Sequence, residues 1–246
     1  MGQKKTAQIS TAYTAATKEG IDKPENYGSG KLWNKDFILL WQGLLVSLLG
    51  DIVYEVALGF WVLKETGSPG LMGTLMAVTI VPRAVISPFA GVIIDRYSRK
   101  MIVVISDAIR GVVIIVVAAA AILGVLEVWM VFAGGVILGI GAAFFLPAMK
   151  SVLPDIVPKE RLVQGNSYVS MIQTGTNILG NSTGGFLYAV FGAPLLFLFN
   201  GFSYAFSAVS ESFIRIKRKP AEGEAFHFGE DLKQGFRYLI QNTGLW

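Results

Sequence analysis

The sequence predicts an all-α membrane protein of six transmembrane helices with both termini in the cytoplasm, and three observations carry that reading. Of 246 residues, 53% are hydrophobic and 15% charged, with a mean hydropathy of +0.55. That is too much apolar surface for the polar shell of a soluble domain. Apolar runs of the ~20 residues needed to cross a bilayer recur along the chain. Between them, Lys and Arg gather in alternate connections, as the positive-inside rule requires when those connections face the cytoplasm.

The chain opens with a polar tail, residues 1–36, that lacks the apolar core of a secretory signal, so the first span is expected to stay in the mature protein. Six runs follow: Phe37 to Leu63, Leu71 to Ile94, Met101 to Leu126, Val128 to Leu146, Ser167 to Phe191 and Pro194 to Ile214. Together they define a transmembrane bundle over residues 37–214. Lys31 and Lys35 precede the first run, Arg96, Arg99 and Lys100 follow the second, and Lys150, Lys159 and Arg161 follow the fourth. Arg215 to Lys219 follow the sixth, whereas Lys64 alone is basic in the opposite connections. An even span count in a cytoplasmic membrane follows. Residues 215–246 read as a cytoplasmic linker whose segment Asp231 to Asn242 places Leu232, Phe236, Leu239 and Ile240 at helical spacing, an amphipathic surface helix leading towards a further span.

Composition also narrows the chemistry. With no cysteine there is no disulfide framework and no thiol nucleophile. His227, the one histidine, falls in a polar linker, so no metal site is expected. No phosphate-binding loop, dinucleotide glycine pattern or nucleophile elbow occurs, which argues against an enzyme and against a bound cofactor. The net charge of +4 sits at helix ends, where topology and anionic lipid account for it, so membrane lipid rather than nucleic acid is the expected polyanion.

Ionisable residues inside the apolar runs cost about 2.5–3.5 kcal/mol each on insertion scales and so need partners, water or a function. Asp51 and Glu55, at i and i+4 in the middle of the first span, share a helix face and resist joint ionisation. They are the candidates for proton or substrate contact, the alternative being a hydrated vestibule. Arg83 is a candidate to offset them from the second span, forming a buried triad. Asp107 and Arg110, at i and i+3 near the cytoplasmic end of the third span, form a supporting ion pair. Glu211, near the cytoplasmic end of the sixth, is expected to snorkel to the surface. Small residues at four-residue spacing, Gly135 with Gly139 and Gly180 with Gly184, predict close helix approach, and Pro82 and Pro88 predict a kink in the second span.

The turn between the second and third spans reads GVIIDRYSRK, residues 91–100. It resembles the signature loop of the major facilitator superfamily, of the form G-x-x-x-D-R-x-G-R-K. Gly91, Asp95, Arg96, Arg99 and Lys100 match, and Ser98 stands where glycine is usual. The resemblance implies a cytoplasmic gating loop whose charge network, including Asp95, locks the outward-facing state; topology alone would also account for the charges. Phe145 to Ala148, Val152 to Pro158, Leu162 and Asn166 are similar to the connection after the fourth helix in the branch of macrolide and siderophore exporters. GNSTGG, residues 180–185, resembles the antiporter signature of the fifth helix through Gly180, Gly184 and Gly185, with Asn181 in place of its proline; Gly135 stands where many antiporters have arginine.

The resemblance runs from about Trp33 to the last residue and covers the N-terminal six-helix bundle of a twelve-span fold. It implies a secondary transporter, a proton-coupled antiporter effluxing amphipathic small molecules such as drugs, macrolides or siderophores, the class associated with multidrug resistance. The proton gradient would drive it without a cofactor, and its second six-helix half would lie in cis or come from a homodimer. The alternatives are an uptake permease and a non-transporting half-length membrane protein acting as an assembly partner or left as a remnant.

Overall fold

Leading into the bundle, Asn34 uses Oδ1 to accept the Phe37 N–H at 2.9 Å and Nδ2 to donate to the Ile156 carbonyl at 2.7 Å. One side chain thus caps a helix and ties it to the end of another. The computed structural model of this chain describes residues 31–216. The tail before them, His227 and the amphipathic segment Asp231 to Asn242 lie outside the described residues, as does the Asp95 side chain.

Five long helices follow: α1 (Lys35–Thr66), α2 (Pro69–Arg96), α3 (Arg99–Ile122), α4 (Val128–Ile156) and, after a short 3-10 turn at Lys159–Arg161, α5 (Leu162–Ser212). All five are long and apolar enough to cross a membrane, and the described residues include no strand. Gly67, at φ 63°, closes α1 in the left-handed region, and Ser68 with Pro69 starts α2 at once.

α5 is two helical arms. Gly192 interrupts it at φ 71°, ψ 168°, a conformation that excludes side chains with a Cβ, and Pro194 restarts the helix. Contacts with α1 show that the chain reverses there. Along the first arm Gly180 meets Ile52 and Gly184 meets Val56, so the arm runs parallel to α1. Along the second, Ser203 lies against Gly50 and Glu211 against Gly43, so it runs antiparallel. The break falls where the apolar runs Ser167 to Phe191 and Pro194 to Ile214 predict a boundary.

One expectation is corrected. The fourth helix was expected to end at Leu146, ahead of Pro147, yet α4 continues through Pro147 and Pro154 to Ile156. A helical proline forfeits one hydrogen bond and crowds the preceding turn. Burial of Ala148, Met149, Val152 and Leu153 compensates by fixing that last stretch against its neighbours. α2 is helical through Pro82 and Pro88, the two positions where a kink is expected.

Side chains sort into three layers along the bundle. One apolar cluster, built around Phe37, Leu44, Ile94, Phe145 and Met149, fills the end bearing the 91–100 loop. A second, around Ala57, Val62, Ile114, Val131 and Phe197, fills the far end. A polar seam of Ser47, Asp107, Arg110, Asn200, Ser203 and Ser207, all buried, runs between α1, α3 and the second arm of α5. The outward faces of α2 and α5 are apolar and exposed, at Ile80, Val85, Ile178 and Phe186 among others, as lipid or another apolar surface requires.

Glycines set how closely the helices approach. A methyl group placed at Gly180 would overlap Ile52 Cγ2, and one at Gly184 would stand 2.8 Å from Val56 Cγ2. At Gly135 it would lie 3.1 Å from Thr79 Oγ1, and at Gly139 it would strike the Thr79 carbonyl. Gly185 makes only ordinary contact, 3.8 Å from Phe60. Replacing Gly180 by Leu therefore destabilises the bundle by about 1–3 kcal/mol through overpacking. Gly185→Ala is neutral or stabilising by up to about 1 kcal/mol. Thermal unfolding in detergent micelles measures both.

Candidate functional site

In the apolar bundle interior, Arg110 must find partners for a charge that never leaves its guanidinium. It lies at the middle of α3, only 4% exposed. Its Nη2 donates to Asp107 Oδ1, Nη1 donates to the Tyr204 hydroxyl at 3.3 Å, and Nε donates to the Ser106 carbonyl at 3.4 Å. The guanidinium is flanked by the rings of Phe145 and Tyr204, each centroid 4.4 Å away. The Tyr204 hydroxyl in turn donates to Asp51 Oδ1. A continuous polar chain thus joins α3, the second arm of α5 and α1.

This chain ends at a cavity of about 230 Å³. Asp51, Tyr54, Glu55 and Leu58 line it from α1, and Met72, Met76, Thr79, Ile80 and Arg83 from α2. Arg110 comes from α3, Leu138 and Ala142 from α4, and Tyr204 from α5. Thioether and aliphatic walls with a few convergent charges suit a molecule with an apolar body and a polar group.

Asp51, Glu55 and Arg83 thus meet at one cavity, but not as a buried triad. Arg83 and Glu55 are exposed on its walls, and neither Asp51 nor Glu55 forms an ion pair with Arg83. The cation in the Asp51 network is Arg110, reached through Tyr204. α2 holds Arg83 on the open side of the cavity, whereas α3 inserts Arg110 between α1 and α5. The Asp107–Arg110 ion pair forms as the i, i+3 spacing predicts, yet lies deep in the bundle, with Arg110 at the cavity wall.

Glu211 corrects another expectation. It does not snorkel: it is fully buried, packed against Gly43 of α1, whose missing side chain leaves the space, and Leu40, Val103 and Ile214 close over it. Sequence reading also passed over Tyr204, Asn200 and Ser207. The available signal was the spacing of Asn200, Ser203, Tyr204, Ser207, Ser210 and Glu211, one polar stripe at steps of three and four along an otherwise apolar arm.

At the loop end, Arg99 pairs with Asp155 of α4 at 3.1 Å and donates to the Ser151 carbonyl at 3.2 Å. The Arg215 N–H donates to Asp36 at 2.9 Å. Trp33 packs edge-on against Phe37, Trp41 and Tyr168. The start of α1, the end of α4 and both ends of α5 therefore gather beside the cationic turn. Gly91 has open space around it, and Gly180 and Gly184, though not Gly185, are tight packing positions.

Apolar helices of membrane-crossing length around a charged cavity define a multi-pass membrane protein. A sequence profile of the Major Facilitator Superfamily matches residues 40–246, and the chain belongs to that family of transporters. It is 28% identical over 216 residues to macrolide efflux protein A of Streptococcus pyogenes, covering 87% of this chain and 53% of that protein. Multidrug resistance protein 2 of Bacillus subtilis (strain 168) is 28% identical over 179 residues, 72% of this chain and 43% of its own. Quinolone resistance protein NorA of Staphylococcus aureus is 28% identical over 158 residues, 64% and 39% respectively. The chain spans about half the length of the macrolide efflux relatives it matches.

Removing one member of a buried ion pair leaves an uncompensated charge and costs about 3–5 kcal/mol. Arg110→Met is expected to destabilise the bundle by that amount, and Asp107→Asn added to it to recover most of the loss, as measured by unfolding in a double-mutant cycle. Additive losses would mean that the two side chains do not act as a pair.

Proposed function

We propose that this chain forms the N-terminal six-span half of a secondary transporter that exports amphipathic small molecules in exchange for protons. The carrying observation is the cavity that sets Asp51, Glu55, Arg83 and Arg110 at mid-depth among apolar walls. Such residues inside a membrane bundle mark substrate or proton paths. Kinship with proteins named for macrolide efflux, multidrug resistance and quinolone resistance supports export of drug-like molecules.

In this reading the two arms of α5 are the fifth and sixth spans, both termini are cytoplasmic and the membrane is the cell membrane. A second six-helix half, in cis or from a second copy, faces the cavity and rocks against this one to alternate access. No step requires a cofactor; the proton gradient supplies the work. The loop-end pair Arg99–Asp155 links the starts and ends of neighbouring helices as a cytoplasmic latch. Its side chains are half-buried and still reached by water, which keeps its worth to about 0–1 kcal/mol of stability, so its role is in the balance between conformations.

Two outcomes follow. In everted membrane vesicles with an acidic lumen, so that the proton gradient is directed outward, a radiolabelled macrolide accumulates, and both collapse of the gradient and Asp51→Asn reduce accumulation to background at unchanged protein level. Unchanged proton-dependent transport by the Asn variant would remove Asp51 from the coupling role, and accumulation only in right-side-out vesicles would mean uptake. Because the chain has no native cysteine, a cysteine pair placed across the loop end reports opening by cross-linking. Asp155→Ala lowers the cross-linked fraction, and exchanging the charges as Arg99→Asp with Asp155→Arg restores part of it.

A further inference from the structure

Beyond the cavity, the polar seam continues to a group that the export mechanism above does not use. Glu211 is fully buried, and neither of its carboxyl oxygens has a hydrogen-bond partner among the described residues. Asp107 Oδ2 and the Ser207 hydroxyl beside it are also unpartnered, and Ser207 stands next to both carboxyl groups. Of the elements packed around Glu211, α1 presents the uncharged Gly43 and Leu40, and α4 presents Val152. α3 brings Asp107, Arg110 and, at the mouth of a narrow crevice, Lys100, while Tyr204 is on the same arm of α5.

The charge count is decisive. Asp107 bonds the one buried guanidinium directly, Asp51 reaches it through Tyr204, and Glu211 follows along the seam past Asp107 and Ser207 without a bond of its own; a carboxylate left unbonded in an apolar interior is not tolerated. We propose that Glu211 is a second proton-carrying group, coupled to Asp51 by competition for the Arg110 guanidinium. This rests on the proton-coupled reading above and deepens it.

The step balances. With Asp51 ionised, Tyr204 and Arg110 are drawn to it, and Glu211 keeps its proton. When a cavity water delivers a proton, an O–H bond forms on Asp51 and its demand on Arg110 ends. The guanidinium then serves the Asp107 side, the Glu211 O–H bond breaks, and the proton leaves to water beside Lys100. The net charge of the cluster is the same before and after, while a proton has entered at the cavity and another has left at the loop end. The crevice at Glu211 has no room for a water molecule in this conformation, so release belongs to a conformation in which the loop end is parted. Arg110 transfers no proton itself; it is the charge for which the two sites compete.

Infrared spectroscopy of the purified chain in vesicles, without substrate or gradient, reads this directly. At neutral pH we expect a carboxylic-acid C=O band that shifts in heavy water, disappears in Glu211→Gln, changes frequency in Glu211→Asp and weakens in Asp51→Asn. A band retained in Glu211→Gln would overturn the proposal. So would a band blind to heavy water or to Asp51→Asn, which marks a trapped structural proton, or one removed by sodium ions at fixed pH, which marks a metal-cation site. The heavy-water and Asp51→Asn arms need no change at position 211, so misfolding of a Glu211 variant does not silence the test. If the band behaves as expected and vesicle flux is absent, the export reading fails while the proton on Glu211 stands; flux without the band is the reverse.

Discussion

A guanidinium cannot be left alone in the interior of an apolar bundle, and much of this structure follows from meeting the demands of Arg110. The charge costs several kcal/mol to insert and cannot be relieved by losing a proton. Five donors and two cationic faces must be answered where water is scarce. α3 supplies Asp107 and the Ser106 carbonyl from its own turn, α5 supplies Tyr204 as acceptor and ring, and α4 supplies the Phe145 ring. Satisfying one side chain thus holds three helices together at mid-depth, and Tyr204 passes the link on to Asp51 of α1.

That arrangement requires the helices to approach closely, since in lipid no hydrophobic force draws one apolar helix to another. Gly43 and Gly50 of α1 make room for Glu211 and Ser203, and Gly111 of α3 lies 3.2 Å in Cβ terms from Tyr204. Gly180 and Gly184 do the same on the other flank of α1, and Gly135 and Gly139 join α4 to α2. The glycines that read as packing motifs and the polar residues that read as function therefore serve one design. Removing side chains from one helix creates the space in which the polar groups of the next are held.

Much of the fold was legible because bilayer thickness imposes a length and topology imposes a charge pattern. The helix limits follow the apolar runs closely at α1, α2 and α3, and the Gly192 break falls between the fifth and sixth runs. The i, i+4 spacing of Asp51 and Glu55 and the i, i+3 spacing of Asp107 and Arg110 were likewise readable, since local geometry alone brings those pairs together. What escaped were relations between helices. Periodicity says that Tyr204, Ser207 and Glu211 share a face of one helix, but not that this face meets Arg110 and Gly43. Arg83 looked like the natural partner of Asp51 by charge, whereas packing gave that place to Arg110. The fourth apolar run ends at Leu146, whereas burial of the turns after it carries α4 through Pro147 to Ile156.

Incomplete satisfaction is what separates this seam from a structural ion pair. A network in which every donor and acceptor is matched is rigid, and its worth lies in fixing one arrangement. Here the outer portion, from Asp51 to Asp107 Oδ1, is bonded, while the inner portion, from Asp107 Oδ2 through Ser207 to Glu211, is unbonded, with one hydroxyl donor between two carboxyl groups. Such an imbalance is costly at rest, and movement of Arg110 by one bonding position, or the arrival of a proton, reverses which end bears it. On the proposed reading, a seam poised in this way converts a change of charge at the cavity into a change of packing between α1, α3 and α5. In a transporter that must alternate between conformations, a bonded and an unbonded end separated by one guanidinium is a physical means of coupling the two.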